Sequence, residues 1–274
     1  MWISTENFRK LKVMSILKEI IAKKISEVEN DKKKNSLENI KNNIKKKNFS
    51  FKKQLINFKK KNKTAIIAEV KKASPSKGIF VNNFNHLKIA NEYFNSGAAC
   101  LSVLTEKNYF LGSKDYLKEI SNKINLPILC KDFFVDPYQV YEASMLGAHC
   151  ILILLKSTNL KMASLLYDAA LDCGLDSIIE VHNENEMNIA LQFRESIIGI
   201  NNRNLETFDT SLETTIDICK KFNLTNRTLI CESGINTGND IKKIINATGI
   251  TNFLVGESLI KSDSINQKLK ELTS

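Results

Sequence analysis

Seven polar residues, Glu69, Lys71, Lys131, Glu180, Asn201, Glu232 and Ser233, recur at the ends of short apolar runs. Lysines and carboxylates dominate this set, without a histidine cluster or a clear nucleophile–base pair. Such a composition suits general acid–base chemistry on an anionic small molecule. A lysine beside carboxylates stays protonated and donates, while a partly desolvated glutamate accepts a proton near neutral pH. A second set, Ser74, Ser233, Gly234, Gly256 and Glu257, brings glycines to the ends of two consecutive runs, where bare backbone N–H groups suit a phosphate. Taken singly, any of these Glu or Lys residues reads more naturally as a surface ion pair. The recurrence of polar positions at the same place in successive units carries the argument. Asp132 and Lys156 read as supporting residues, with Asp132 paired to a neighbouring lysine and holding it in place. His182 follows Glu180 by two residues and so points to the same side. Lacking a partner at metal-ligand spacing, it reads as a packed or substrate-adjacent residue.

The elements that must position these residues begin at Thr64. Eight apolar runs follow: Ala65–Val70, Ala98–Leu104, Pro127–Cys130, Ala148–Leu154, Asp176–Val181, Ser196–Ile200, Thr228–Cys231 and Phe253–Val255. Their starts lie roughly 20 to 35 residues apart, the length of a strand, a helix and two loops. Amphipathic spacing fills the gaps, as in Leu87, Ala90, Tyr93 and Phe94, and in Tyr138, Tyr141, Glu142 and Met145. Gly97, Gly147 and Gly174 stand just before runs, where a helix end calls for positive φ. Strands apolar throughout need cover on both faces, which predicts a parallel sheet with helices outside. Eight such units predict an α/β fold, a (β/α)8 TIM barrel, with an N-terminal helical extension over residues 1–63 and the barrel over 64–274. An open doubly wound sheet is the alternative, but the first run leads into Lys71-Lys72-Ala73-Ser74-Pro75-Ser76-Lys77-Gly78 and lacks a GxGxxG turn.

The net charge of +10 invites a nucleic-acid reading that its distribution opposes. Residues 1–63 hold 19 Lys+Arg against 6 Asp+Glu, a net of +13, so the remainder is mildly acidic. The main run is Lys45, Lys46, Lys47, Lys52, Lys53 and Lys59 to Lys61 with Lys63, and the aromatics among them, Phe49, Phe51 and Phe58, read with Leu55 and Ile56 as a helix rather than as the stacking platform of a single-strand binder. It reads first as a solvated helical face, and second as a steering field for an anion. Residues 1–13 are unpatterned. Ile16, Leu17, Ile20, Ile21, Ala22 and Ile25 predict a helix, a polar segment follows to about Lys47, and Phe49, Phe51, Leu55, Ile56 and Phe58 predict a second short helix. Six cysteines without a CxxC pair, mostly inside apolar runs, read as buried reduced thiols. No apolar run reaches the roughly 18 residues a membrane span needs. The expectations are a cytoplasmic protein, with no nucleic-acid or membrane partner and no metal.

Here the strings themselves become informative. Ile67-Ala68-Glu69-Val70-Lys71-Lys72-Ala73-Ser74-Pro75-Ser76-Lys77-Gly78 resembles the first-strand signature of the indole-3-glycerol phosphate synthase family. The resemblance continues through Pro127-Ile128-Leu129-Cys130-Lys131-Asp132-Phe133, Glu180-Val181-His182-Asn183, Ile198-Gly199-Ile200-Asn201-Asn202-Arg203, Glu232-Ser233-Gly234-Ile235 and Val255-Gly256-Glu257-Ser258-Leu259, and spans about residues 14–272. It implies a lyase of tryptophan biosynthesis that closes a ring on 1-(2-carboxyphenylamino)-1-deoxyribulose 5-phosphate, with loss of carbon dioxide and then water, using no cofactor. By family position, Lys131 is the proton donor, Glu180 the general base of dehydration, Glu69 a support for proton transfer, and Lys71 the holder of the anthranilate carboxylate or a second acid. Asn201, Arg203 and Glu232 are placed to orient the sugar. Phe110, Leu152 and Phe133 are candidates for the apolar wall, and Ser74, Ser233, Gly234, Gly256 and Glu257 for the phosphate pocket. In this family the N-terminal extension packs over the barrel mouth. The strings also resemble the enteric branch fused to phosphoribosylanthranilate isomerase, which makes that isomerase the expected partner, fused or separate. Two readings compete with this one: another phosphosugar barrel enzyme such as an isomerase, and a non-enzymatic nucleic-acid binder.

Overall fold

The computed structural model describes residues 5–45 and 49–274, with side chains from residue 16 onward. Eight parallel strands close into a barrel: β1 (Ala65–Val70), β2 (Cys100–Leu104), β3 (Ile128–Lys131), β4 (Cys150–Leu154), β5 (Asp176–Val181), β6 (Ile197–Asn201), β7 (Leu229–Glu232) and β8 (Asn252–Val255). Each neighbours the next in chain order, and β8 returns to β1. Strands β1 and β5 coincide with their apolar runs. In β2 and β4 the runs begin two residues early, because Ala98 and Ala148 are still in the turn that ends the preceding helix. Gly97 and Gly147 make that turn with φ of +86° and +101°, in the left-handed region expected of them, and Gly174 does the same at +64°.

Between the strands run α4 (His86–Asn95), α5 (Lys114–Lys123), α6 (Pro137–Met145), α7 (Leu160–Asp172), α8 (Glu184–Ala190), α9 (Glu213–Lys221) and α10 (Gly238–Thr248); α11 (Glu257–Ile260) and α12 (Ile265–Thr273) follow β8. Local chemistry starts them: Asn85, Ser113, Asn159 and Asn183 accept a first-turn backbone N–H, and Asp136 with Gln139 and Thr237 with Asp240 form reciprocal capping boxes. Their apolar faces pack on the outside of the sheet, leaving both faces covered.

Alternation along each strand sets the interior. Ala65, Ile67, Leu129, Cys150, Leu152, Ile178, Ile197, Ile230 and Leu254 fill the lower barrel. Two residues further on, the same inward stripe reaches Glu69, Lys131, Glu180 and Glu232. Register aligns this layer, pairing Glu69 with Ser102, Leu104 with Lys131, Leu154 with Glu180, and Asn201 with Glu232. The period-two pattern thus places the charged ring directly above a dry aliphatic floor.

The extension holds the barrel at both ends. Its first helix, α1, runs Thr5–Lys34, so it takes in residues the sequence left unpatterned and continues through the polar segment. Its buried stripe is Ile20, Lys24 and Val28, an i, i+4 row with a lysine in the middle, whereas Ile25 is half exposed. The expected apolar face is therefore rotated: Lys24 goes inward because Asp132 of the barrel receives it at 2.9 Å. Tyr138 donates to the carbonyls of Asp31 and Asn35, docking the end of α1 on α6. After α2 (Leu37–Asn42), the chain crosses to the other end, where α3 (Phe51–Lys60) inserts Phe51 and Leu55 into the interior cluster. Ser50 and the Lys52 backbone N–H both donate to Asp176, the first residue of β5. Lys52 pairs with Glu195 at 3.0 Å. This corrects the steering idea: Lys52, Lys53 and Lys59 to Lys61 belong to the end of the barrel away from the charged ring, and Lys46 and Lys47 lie outside the described residues. Among the described residues no helix is long and apolar enough to cross a membrane.

Candidate active site

A cavity of about 770 Å³ opens at the C-terminal ends of the strands. Fourteen of the fifteen expected site residues line it: Glu69, Lys71, Ser74, Phe110, Lys131, Phe133, Leu152, Glu180, Asn201, Arg203, Ser233, Gly234, Gly256 and Glu257. Glu232 is set back beneath them, 1% exposed, with its carboxylate reaching up to Lys131. Gly199 makes room for it, since a Cβ there would overlap the Glu232 carboxylate.

Lys131 is the hub. Its Nζ lies 3.1 Å from Glu232, 3.6 Å from Glu69 and 4.0 Å from Glu180. Burial works against its charge, but the three carboxylates outweigh that effect and raise its pKa. Lys71 shares Glu69 with it in a tight ion pair. Burial favours the neutral form of Glu69, yet Lys71 and Lys131 overcome it and hold the carboxyl below its ordinary range. For Glu180, burial is again opposed, here by His182, Lys131 and the Asn201 amide donating at 2.9 Å, and its pKa is drawn down to about 2. Glu232 goes the other way. Burial, reinforced by repulsion from Glu180 and Glu69, exceeds the pull of Lys131 and lifts it to about 7. Neighbouring carboxylates of opposite tendency mark a site equipped to give and take protons near neutrality.

Above the ring, polar and apolar walls separate. Phe110 and Phe133 form one side, ring centroids 6.2 Å apart, with Leu152 below. Buried Glu106 shapes that side: its carboxylate accepts the backbone N–H groups of Asn108, Tyr109 and Phe110. Opposite, Ser233 (φ +62°) and Gly234 (φ +82°) turn the β7 loop, and Gly256 leads into α11. A Cβ on Gly234 would meet Thr210 at 2.8 Å, and one on Gly256 would meet Glu69 at 2.5 Å, so both glycines are required by close approach. Arg203 sits between these parts, 3.7 Å from Glu257, with its Nε buried and unpartnered.

The outer residues divide. Asp132 does pair with a lysine, but that lysine is Lys24 of the extension; it also accepts from Thr105 at 2.7 Å and from the Phe133 backbone N–H. Asn202 faces away, binding the carbonyls of Glu232 and Ser233 and the Thr215 hydroxyl, and so locks the β6 and β7 loops together. Lys156 pairs with Glu206 at the rim. The extension packs over the mouth as the resemblance implies, with Ile16, Leu17 and Ile20 of α1 lining the cavity; Leu205, Phe208 and Thr210 of the β6 loop also line it, and sequence reasoning missed these.

Comparison with known proteins bears on this geometry. The family model described as indole-3-glycerol phosphate synthase matches residues 17–272. An indole-3-glycerol phosphate synthase of Chromobacterium violaceum is 44% identical over 210 residues, 77% of this chain and 78% of that protein. One of Polaromonas naphthalenivorans is 45% identical over 210 residues, covering 77% and 79%. Among solved structures, tryptophan synthase subunit alpha from Legionella pneumophila str. Paris superposes with a TM-score of 0.60 at 13% identity, over 81% of this chain and 96% of that one. The 3-hexulose-6-phosphate synthase of Salmonella typhimurium gives 0.61 at 11% identity, over 76% and 96%. These two likenesses carry the fold alone.

Proposed function

The chain belongs to the indole-3-glycerol phosphate synthase family, and from that premise we propose that this cavity closes the indole ring of 1-(2-carboxyphenylamino)-1-deoxyribulose 5-phosphate. The observation that carries the proposal is the placement of Lys131 within 4.0 Å of Glu69, Glu180 and Glu232 at the floor of the cavity. The aromatic carbon bearing the carboxylate bonds to the sugar carbonyl carbon, and Lys131 protonates the carbonyl oxygen as negative charge develops there. Carbon dioxide then leaves, and its bonding electrons restore the aromatic ring. Lys71, released from the departed carboxylate, gives its proton to the new hydroxyl, which leaves as water, and Glu180 takes the proton released from carbon as the second ring becomes aromatic. Glu180 is a weak base while Lys131 is charged. Once Lys131 has given up its proton, one of the groups that depress Glu180 is gone while His182 remains, and its basicity rises when it is needed.

The remaining roles follow position. Lys71 holds the anthranilate carboxylate, and Glu69 couples the two lysines. Asn201 and Arg203 orient the sugar, while Glu232, set beneath Lys131, acts on it through that lysine. Phe110, Phe133 and Leu152 receive the aromatic ring. Ser74 and the backbone of Ser233, Gly234, Gly256 and Glu257 take the phosphate, a reading the close-approach glycines support; the Glu257 carboxylate is already paired with Lys261 at 2.7 Å. The helical extension, residues 1–63, and the barrel, residues 64–274, act as one unit. A cytoplasmic setting fits the cysteines, four of the six being buried thiols. Phosphoribosylanthranilate isomerase, fused or separate, remains the expected partner, to be tested by co-purification. The decisive experiment is turnover of the proposed substrate followed by indole fluorescence; a folded sample that forms no indole product overturns the reading.

A further inference from the structure

His182 stands immediately after β5 and does not line the cavity, yet it is wired to the residue proposed as base. Its side chain is 10% exposed. Glu186, in the first turn of α8, grips it twice: one carboxylate oxygen accepts the His182 backbone N–H at 2.8 Å and lies 3.1 Å from ring Nδ1. The other oxygen of Glu186 is held by the Asn183 amide at 3.1 Å. The ring is thereby fixed. Its remaining nitrogen, Nε2, is buried without an aligned hydrogen-bond partner and sits 3.3 Å from Glu180 Oε1, the oxygen that also accepts from Asn201. Around the imidazole, β5 contributes Glu180, α8 contributes Glu186, and β6 contributes the neutral amide of Asn201. From the loop after β4, Lys156 acts on Glu186 and is itself paired with Glu206. Two carboxylates therefore face the ring directly, with no cation of comparable proximity among the described residues.

We propose that His182 is a positioning residue for Glu180: an imidazolium clamped by Glu186 that orients the carboxylate and keeps it ionised while Lys131 gives up its proton. This rests on the reading of Glu180 as the base. Within the floor of the cavity Glu180 shares Lys131 with Glu69 and Glu232. When that lysine becomes neutral, three carboxylates are left together, and the first to be protonated is lost as an acceptor. A fixed cation beside Glu180, outside the reacting space, biases that protonation toward Glu232. The opposite directions of the two carboxyls, Glu180 down to about 2 and Glu232 up to about 7, agree with this bias, as does the rise of His182 to about 9, in which burial is outweighed by Glu180 and Glu186. A neutral side chain of similar reach would preserve orientation but not charge.

Two measurements test this. In the first, the imidazole of His182 is titrated by NMR; the chain has three histidines, and the signal lost in H182Q identifies it. It should titrate at least about one unit above the ordinary value near 6.5, and E180Q should lower it by at least about one unit, because the coupling is reciprocal. In the second, kcat is followed against pH. H182Q should move the acidic limb upward by about one unit or more, with little change in KM, and E186Q should move it less, in the same direction. A merely structural role lowers kcat equally at every pH and leaves the limb in place. An unmoved limb in H182Q overturns the proposal. If H182Q does not fold, the histidine signal is assigned through E186Q, and an ordinary titration or one insensitive to E180Q overturns it. Absence of indole product from the wild-type protein defeats the functional reading instead, and leaves the NMR coupling to stand or fall separately.

Discussion

Replacing Lys131 with methionine keeps an unbranched side chain one atom shorter and removes the charge that three carboxylates share. Its Nζ lies 3.1 Å from Glu232. At an effective dielectric constant of about 20, unit charges at that distance attract by about 5 kcal/mol, equivalent to more than three pKa units. Glu232, already near 7, should therefore stay protonated in Lys131→Met throughout the range from pH 6 to pH 8. Glu232 has a raised pKa in the folded state, so its contribution to stability is greatest at low pH and is lost as pH rises through the folded value. In the wild type that loss tapers off above pH 7. In the variant it continues, and the stability gap widens by about 1.4 kcal/mol between pH 6 and pH 8. Because Glu232 can escape by taking a proton, the gap at pH 6 should fall below the roughly 3–5 kcal/mol typical of breaking a buried pair. Urea unfolding followed by circular dichroism at both pH values measures this, and kcat should fall by about 10²-fold or more at each. A gap of equal size at pH 6 and pH 8 would refute the claim that Lys131 and Glu232 are electrostatically coupled.

Glu180→Gln should lower kcat by about 10²–10⁴-fold with the fold intact, and rapid quench should reveal a ring-closed, still hydroxylated species; accumulation of unreacted substrate alone would move Glu180 to the earlier step. Gly256→Ala sets a Cβ 2.5 Å from Glu69 Oε1, so kcat should drop by more than about tenfold; an unchanged kcat with raised KM would confine Gly256 to phosphate binding. Lys24→Met leaves Asp132 without its buried partner and should cost about 3–5 kcal/mol. Amide exchange should then speed up chiefly along α1, and a double variant with Asp132→Asn should lose less than the sum of the two single changes.

The barrel was legible because its signals are local. Runs such as Ala65–Val70 and Asp176–Val181 are apolar on both faces, a pattern an amphipathic helix or a half-exposed strand does not produce. Gly97 and Gly147 mark helix ends by the backbone angle they alone adopt without strain. The mouth residues were legible for a related reason: their order in the chain is their order around the barrel. What lay beyond reach depended on distant contacts. Lys24 reads as one more surface lysine until Asp132, 108 positions later, is placed against it. Asn202 stands beside Asn201 in the sequence, yet strand alternation sends one amide into the cavity and the other into the loop behind it. Glu232 was expected at the sugar, and only the space left by Gly199 shows it drawn down beneath Lys131. The basic run suggested steering because composition carries no direction, and α3 turned out to occupy the opposite end.

That placement of α3 has a kinetic corollary. Phe51 and Leu55 cork the far end, and aliphatic side chains fill the shaft above them, so the barrel has one door. Under the proposed reaction, substrate must enter past Ile16, Leu17 and Ile20, and carbon dioxide, water and the indole product must leave by the same threshold. Traffic is single-file, and the next substrate waits for the last product. Loosening the buried Lys24 latch should therefore act on turnover through departure rather than through bond making: a burst of product before the steady state in the wild type should shrink in Lys24→Met.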